Sequence, residues 1–192
     1  MINADELFIV NYCHPNCEPF KNVCRLPREL AFSLAYKMAA DNPNTTAFWR
    51  FADFENYYPR RLKTDEYLYI LFISLGGKPK EKHPLSFVLQ GSKFLDDWFG
   101  NGIVNKIKLK DIPSEFISFT LGDSMSVFKK NGERTIERNG ELTMYTKEML
   151  YNIIGEYEGT IDELMNEITE KYNYIEVQLW NDDYCVKYLL CP

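Results

Sequence analysis

The stretch Phe116-Ile117-Ser118-Phe119-Thr120-Leu121-Gly122-Asp123-Ser124 alternates without a break, and that alternation decides the fold class. Successive side chains of a strand point to opposite faces. Ile117, Phe119 and Leu121 therefore share one face, and Phe116, Ser118 and Thr120 the other. The stretch Tyr174-Ile175-Glu176-Val177-Gln178-Leu179-Trp180 repeats the pattern, with Ile175, Val177 and Leu179 on one side and Tyr174, Glu176, Gln178 and Trp180 on the other. Each strand offers an apolar face to a core and a short polar row bracketed by aromatics.

Working outward, further strands are expected over residues 7–13, 85–89, 103–109, 142–145 and 184–190. A hairpin is expected over 127–136 about Asn131-Gly132, a pair that favours the tight turns joining antiparallel strands. Pro27 can open a helix, because its missing N–H would be unpaired in a first turn anyway; Leu30, Ala31, Leu34, Ala35 and Met38 then fall on one face. Residues 48–61 carry six aromatics among charges with no clean period and read mostly as loop. Thr64 reads as the cap of a helix over 65–75, closed by Gly76-Gly77. Ser92, Thr146 and Thr160 cap three more, Thr160 with Glu163 in capping-box position. No alternation of strand and helix of the βαβ kind runs through the chain, and no repeat or linker is visible. The expectation is a single α+β domain over residues 1–192, a mostly antiparallel mixed sheet with about five helices packed around it.

Composition narrows the function classes. At 45% apolar residues the chain can bury a core, and 15% aromatics suit either a core of large side chains or an aromatic-lined cleft. A net charge of -6 argues against a general nucleic-acid binder, which needs a basic surface. The charge is uneven. Residues 60–110 hold ten Lys/Arg and five Asp/Glu, whereas residues 146–183 hold ten Asp/Glu and two Lys. No membrane span or signal peptide is apparent, and a soluble, reduced, cytoplasmic protein is expected.

Four groups of residues carry possible chemistry. Ser118, Thr120, Glu176 and Gln178, walled by Phe116, Tyr174 and Trp180, could orient a hydroxylated or amide-bearing ligand; the plain alternative is one solvated face of an antiparallel sheet. Gly122-Asp123-Ser124 ends a strand, where Asp123 could take a metal or a ribose hydroxyl; the alternative is a tight turn with Gly122 at positive φ and Asp123 bonding its own backbone. Arg60, Arg61, Lys63, Lys78, Lys80, Lys82 and His83 suit an anion such as a nucleotide phosphate, or form a solvated basic loop. Cys13, His14, Cys17 and Cys24 offer half of a zinc-type ligand set without a second pair, so free buried thiols and no metal are expected. His83 and Cys185 or Cys191 could complete such a set only where the fold brings them in.

The order of an arginine in an early segment, an aromatic-Ser-aromatic-Thr strand and a late strand with a glutamate resembles the Arg–Ser–Glu layout of ADP-ribosyltransferases. The resemblance selects Arg50, Arg60 or Arg61, then Ser118, then Glu176. It implies an arginine on the NAD phosphates, a serine strand lining the nicotinamide pocket and a glutamate supporting the oxocarbenium-like transition state. Tyr174 departs from the family's acidic or amide residue two positions before the glutamate. Three functional expectations follow. The first is a small anionic or nucleotide-like ligand in a cleft lined by Arg60, Arg61, Ser118, Thr120, Asp123, Glu176, Gln178 and Trp180, with Glu176 and Ser118 as the catalytic candidates. The second is a non-enzymatic interaction, immunity or regulatory factor using its acidic C-terminal helix, with Glu163, Glu167 and Glu170, against a protein partner. The third is an NAD-using enzyme of the ADP-ribosyltransferase kind. No cofactor is assigned from composition or spacing.

Overall fold

The computed structural model describes residues 2–127 and 143–185. Within them six strands form one sheet: β1 (Phe8–Cys13), β2 (Leu85–Leu89), β3 (Ile103–Lys108), β4 (Ile117–Leu121), β5 (Met144–Thr146) and β6 (Ile175–Leu179). Their order is β3-β1-β2-β6-β4-β5, and every pairing is antiparallel rather than mixed. Six helices surround the sheet: α1 (Arg28–Asp41), α2 (Trp49–Ala52), α3 (Phe54–Ser74), α4 (Lys93–Trp98), α5 (Lys147–Glu156) and α6 (Ile161–Tyr172). The architecture is α+β. The expected hairpin about Asn131-Gly132 and most of the last expected strand lie outside the described residues, as does Cys191; residues Asp182–Tyr184 form a 3-10 turn.

One face of the sheet makes the main core. Ile9, Leu85, Phe87, Leu89, Ile107, Ile117, Phe119, Ile175, Val177 and Leu179 meet Leu150 and Ile154 of α5 and Leu164 and Met165 of α6. Helix α5 begins where Thr146 accepts from the Met149 amide, and α6 where Thr160 and Glu163 complete a reciprocal capping box, so both start as their sequences dictate. The apolar halves of the two alternating strands thus face α5 and α6.

The opposite face is roofed by α3, and here the structure departs from the periodicity reading. The helix begins at Phe54, ten residues before Thr64, and carries Pro59 inside it. Thr64 is fully buried mid-helix and donates back to the Arg60 carbonyl at 2.9 Å. The buried stripe is Phe54, Tyr58, Arg61, Asp65, Leu68 and Phe72. Its spacing of three and four residues is regular, but two of its members are charged, which breaks the apolar pattern that marks a helix in sequence. They can be buried because they neutralise each other one turn apart: Arg61 Nε stands 2.8 Å from Asp65 Oδ1.

Helices α1 and α2 pack on α3. Ala31 and Ala35 of α1 are fully buried against Phe54 and Tyr58, while Leu30 and Leu34 remain 58% and 41% exposed. The face that docks is the one whose small side chains admit a ring-bearing helix at short range. The lower end of α3 closes a second cluster, in which Leu68 and Phe72 hold Met144 and Trp180, with the Trp180 and Phe72 rings stacked at 5.4 Å.

Candidate functional site

The two strands that carry the polar row are neighbours in register: Ser118 stands opposite Gln178 and Thr120 opposite Glu176. Their side chains form one directed chain of hydrogen bonds. Trp180 Nε1 donates to Ser118 Oγ at 2.8 Å, Ser118 Oγ to Gln178 Oε1 at 2.9 Å, and Gln178 Nε2 to Thr120 Oγ1 at 3.0 Å. Ser118, Thr120, Gln178 and Trp180 are all fully buried beneath α3. The row is neither the solvated face nor the open cleft wall weighed from sequence; it is a closed polar seam between sheet and helix. Each group's polar capacity is taken by its neighbour, which is the condition for burying it.

Glu176, 5% exposed, sits at the end of this seam. Its carboxylate accepts from the Ser124 amide at 2.6 Å and from the Ser124 hydroxyl at 3.1 Å. Burial pushes its pKa up to about 7; Arg61 and the two Ser124 bonds pull it down, and the Asp123 charge adds to the rise. Arg61 is buried too. Burial opposes its charge, yet the Asp65 carboxylate, with Tyr57 and Glu176, holds it above the ordinary guanidinium range. Glu176 and Ser118 therefore lie on one face, with both side chains covered and committed to protein partners.

Arg60 and Arg61 part company. Consecutive helix residues point about 100° apart, so Arg61 enters the interior and Arg60 turns to a recess at the surface. That recess is lined by Trp49, Arg50, Asp53, Asn56, Tyr57, Arg60 and Met125. The Gly122–Met125 turn forms one side of it. Gly122 adopts φ +74°, and Asp123 Oδ1 accepts from the Met125 amide at 2.9 Å, the tight-turn chemistry its sequence suggests. The other oxygen of Asp123 faces Arg50 at 3.1 Å. Arg60 donates to the Met125 carbonyl, and its Nε is buried with no partner among the described residues.

Trp49 and Tyr57 supply the aromatic part of the lining, and an aromatic cluster continues from Trp49 away from the recess lining. The Arg50 guanidinium lies 5.6 Å from the Trp49 ring centre and 5.9 Å from that of Trp98. Trp49 and Trp98 meet edge to face, Phe94 packs on Trp98, and Tyr174 stacks on Phe94. Burial raises the Tyr57 pKa, and burial together with the Asp123 charge raises that of Tyr174, so both rings stay neutral phenols. Burial depresses Arg60, with the neighbouring Arg50 charge adding to the effect, while at Arg50 burial is outweighed by Asp123 together with Tyr57 and Tyr174. A platform of rings beside two guanidinium groups can hold a planar anion.

Of the residues singled out from sequence, the structure brings Arg60 to this recess, sets Asp123 against its Arg50, and places Arg61, Ser118, Thr120, Glu176, Gln178 and Trp180 in the buried seam behind it. Trp49 and Tyr57 line the recess without a sequence signal, because the segment bearing them reads as loop. The acidic face of α6 is partly engaged: Glu163 belongs to the capping box and Glu167 accepts from the Tyr157 hydroxyl at 2.7 Å. No helix among the described residues is long and apolar enough to cross a membrane.

Compared with protein-family models, with curated proteins and with solved structures, the chain matches none of them.

Proposed function

We infer that the protein binds a small anionic, nucleotide-like ligand in the recess between α2, α3 and the Gly122–Met125 turn. The observation that carries this reading is the convergence of Arg50 and Arg60, from two successive helices, on one short turn beside an aromatic wall. Phosphate or carboxylate oxygens would take the forked donors of the Arg50 and Arg60 guanidinium groups. A planar base would lie against Trp49 or Tyr57, where ring faces give stacking area at little conformational cost. Asp123 would act as the resident competitor for Arg50 and yield it when a stronger anion arrives.

The test is a thermal-shift panel of phosphate, pyrophosphate, ADP, NAD and a sugar phosphate. Ligand binding only the native state at 100 times its Kd adds about 2.7 kcal/mol, or about 5–10 °C in a domain of this size. At least one nucleotide is expected to raise the Tm by several degrees, and the Arg50→Gln/Arg60→Gln variant, still folded, is expected to lose that rise. A flat panel, or an equal rise in the double variant, overturns the reading.

A further inference from the structure

Against α3, apart from the residues that line the recess, three side chains from separate parts of the chain converge. Cys24 comes from the 3-10 turn Val23–Arg25, Asp65 from α3, and His83 from the segment leading into β2. Their donor atoms all lie within 4.8 Å of one another. His83 Nδ1 is 2.8 Å from Asp65 Oδ2. Cys24 and Asp65 are buried, and the His83 side chain is 22% exposed.

We propose that Cys24, Asp65 and His83 bind one zinc-class divalent cation through the thiolate sulfur, one carboxylate oxygen and a ring nitrogen. Zinc takes these three donor types at about 2.0–2.3 Å, which sets tetrahedral donors about 3.5 Å apart. The widest separation must close by about 1 Å and the 2.8 Å His83–Asp65 pair must open by about 0.5 Å, both within the reach of χ rotations. Three protein donors leave one position of a tetrahedral ion for water or another ligand. Among divalent ions, a mixed sulfur, nitrogen and oxygen set suits zinc and cobalt better than magnesium or calcium, which demand oxygen.

The supports behind the three donors argue for a prepared site. Asn22 accepts from the Cys24 amide at 2.9 Å and donates to the Pro84 carbonyl at 2.8 Å. Arg25 donates to the His83 carbonyl at 2.7 Å. The turn bearing Cys24 and the segment bearing His83 are thus tied to each other through the carbonyls of His83 and Pro84. Asp65 is oriented from behind by Arg61, which stands 2.8 Å from Oδ1 as an ion pair without an aligned hydrogen bond, leaving Oδ2 to face His83. Outer groups that fix a ligand's orientation in this way are a regular part of metal centres.

Binding transfers the Cys24 proton to solvent as the sulfur–metal bond forms. Asp65 and the Cys24 thiolate then offset the two charges of the dication, so the buried group gains only one net positive charge. Without a cation the thiol stays protonated: burial pushes the Cys24 pKa up to about 12, against the pull of Arg61.

The experiment is a Co2+ titration of the chelator-stripped full chain, followed by ultraviolet-visible absorption and by competition with Zn2+. The expected result is one equivalent bound, with a thiolate-to-cobalt charge-transfer band that Zn2+ abolishes. Cys24→Ser should remove the band and weaken Zn2+ binding by more than the roughly 10–100-fold that outer-shell changes cost. Cys17→Ser should leave both unchanged. His83→Gln, at a partly exposed position, keeps the fold and tests the same site should Cys24→Ser fail to fold; it should cut affinity at least as far. Absence of stoichiometric binding, a band that survives Cys24→Ser, or unchanged affinity in His83→Gln overturns the proposal. None of these outcomes depends on Arg50 or Arg60, so the anion site stands or falls separately.

Discussion

Glu176 and Ser124 are joined twice: the Ser124 amide donates to one carboxylate oxygen at 2.6 Å and its hydroxyl to the other at 3.1 Å. The strand β6 is thereby fastened to the turn that borders the recess. The cost is a buried carboxylate whose folded pKa is about 7, above its unfolded value near 4.3.

That difference makes stability depend on pH with a definite sign. The folded state binds more protons than the unfolded one between about pH 4.3 and 7, so stability falls as pH rises through that window and levels off above it. The total fall attributable to Glu176 is about 4 kcal/mol. Glu176→Gln keeps an acceptor and a donor for Ser124 and should remove the slope, leaving the variant at least as stable as the parent at pH 8. Urea denaturation at pH 5, 6, 7 and 8 measures it; parallel slopes in parent and variant would sink the assignment.

The Arg61–Asp65 pair should be costly to break from one side. Arg61→Met leaves the buried Asp65 carboxylate with His83 as its one remaining charged or polar partner among the described residues, and about 3 kcal/mol of destabilisation is expected. Removing both charges, Arg61→Met with Asp65→Leu, should recover most of that loss, because an apolar pair of similar volume carries no desolvation cost. Chemical denaturation of the two variants decides it, and a double variant worse than the single would contradict the pairing.

Ser118 is the middle of the seam, accepting from Trp180 and donating to Gln178. Ser118→Ala leaves the Trp180 N–H and the Gln178 carbonyl buried without that partner, at a cost of about 1–3 kcal/mol. A surface serine would cost almost nothing. A loss under about 0.5 kcal/mol would mean that the seam is not closed in solution.

The orientation of α1 gives a contrast between adjacent residues. Ala31→Leu forces a larger side chain against Phe54 and Tyr58 and should cost about 1–3 kcal/mol or more. Leu30→Ala, at an exposed position, should stay within about 0.5 kcal/mol. The reverse order in thermal melts would place the other face of α1 against α3.

The legible parts of this fold are those whose local pattern has one meaning. The alternation in residues 116–121 and 174–180 gave both strands and their inward apolar faces, and Ser92, Thr146 and Thr160 marked three helix starts. The illegible parts turn on partners that only the folded chain supplies. Helix α3 hides because Arg61 and Asp65 occupy its buried stripe, and each is tolerable there only beside the other. On α1, Leu30 and Ala31 both recur at helical spacing, and what selects the alanines is how closely α3 approaches. The row of Ser118, Thr120, Glu176 and Gln178 was weighed as wet or ligand-bound. A polar row satisfied within itself under a helix needs the cross-strand register, which one sequence does not display. Cys24, Asp65 and His83 are separated by 41 and 18 positions along the chain, and no spacing rule joins them.

The place of β6 in the sheet has a consequence for how the protein is made. It is synthesised after the other five described strands, yet it lies between β2 and β4 and is the sole bridge from the β3-β1-β2 group to the β4-β5 pair. A nascent chain that stops short of residue 175 holds two partial sheets, each with a raw edge and half of a common core. Such edges invite pairing with other chains. The ribosome must therefore deliver this last inner strand before the described sheet can close, and any pause upstream of it prolongs the exposure of those edges.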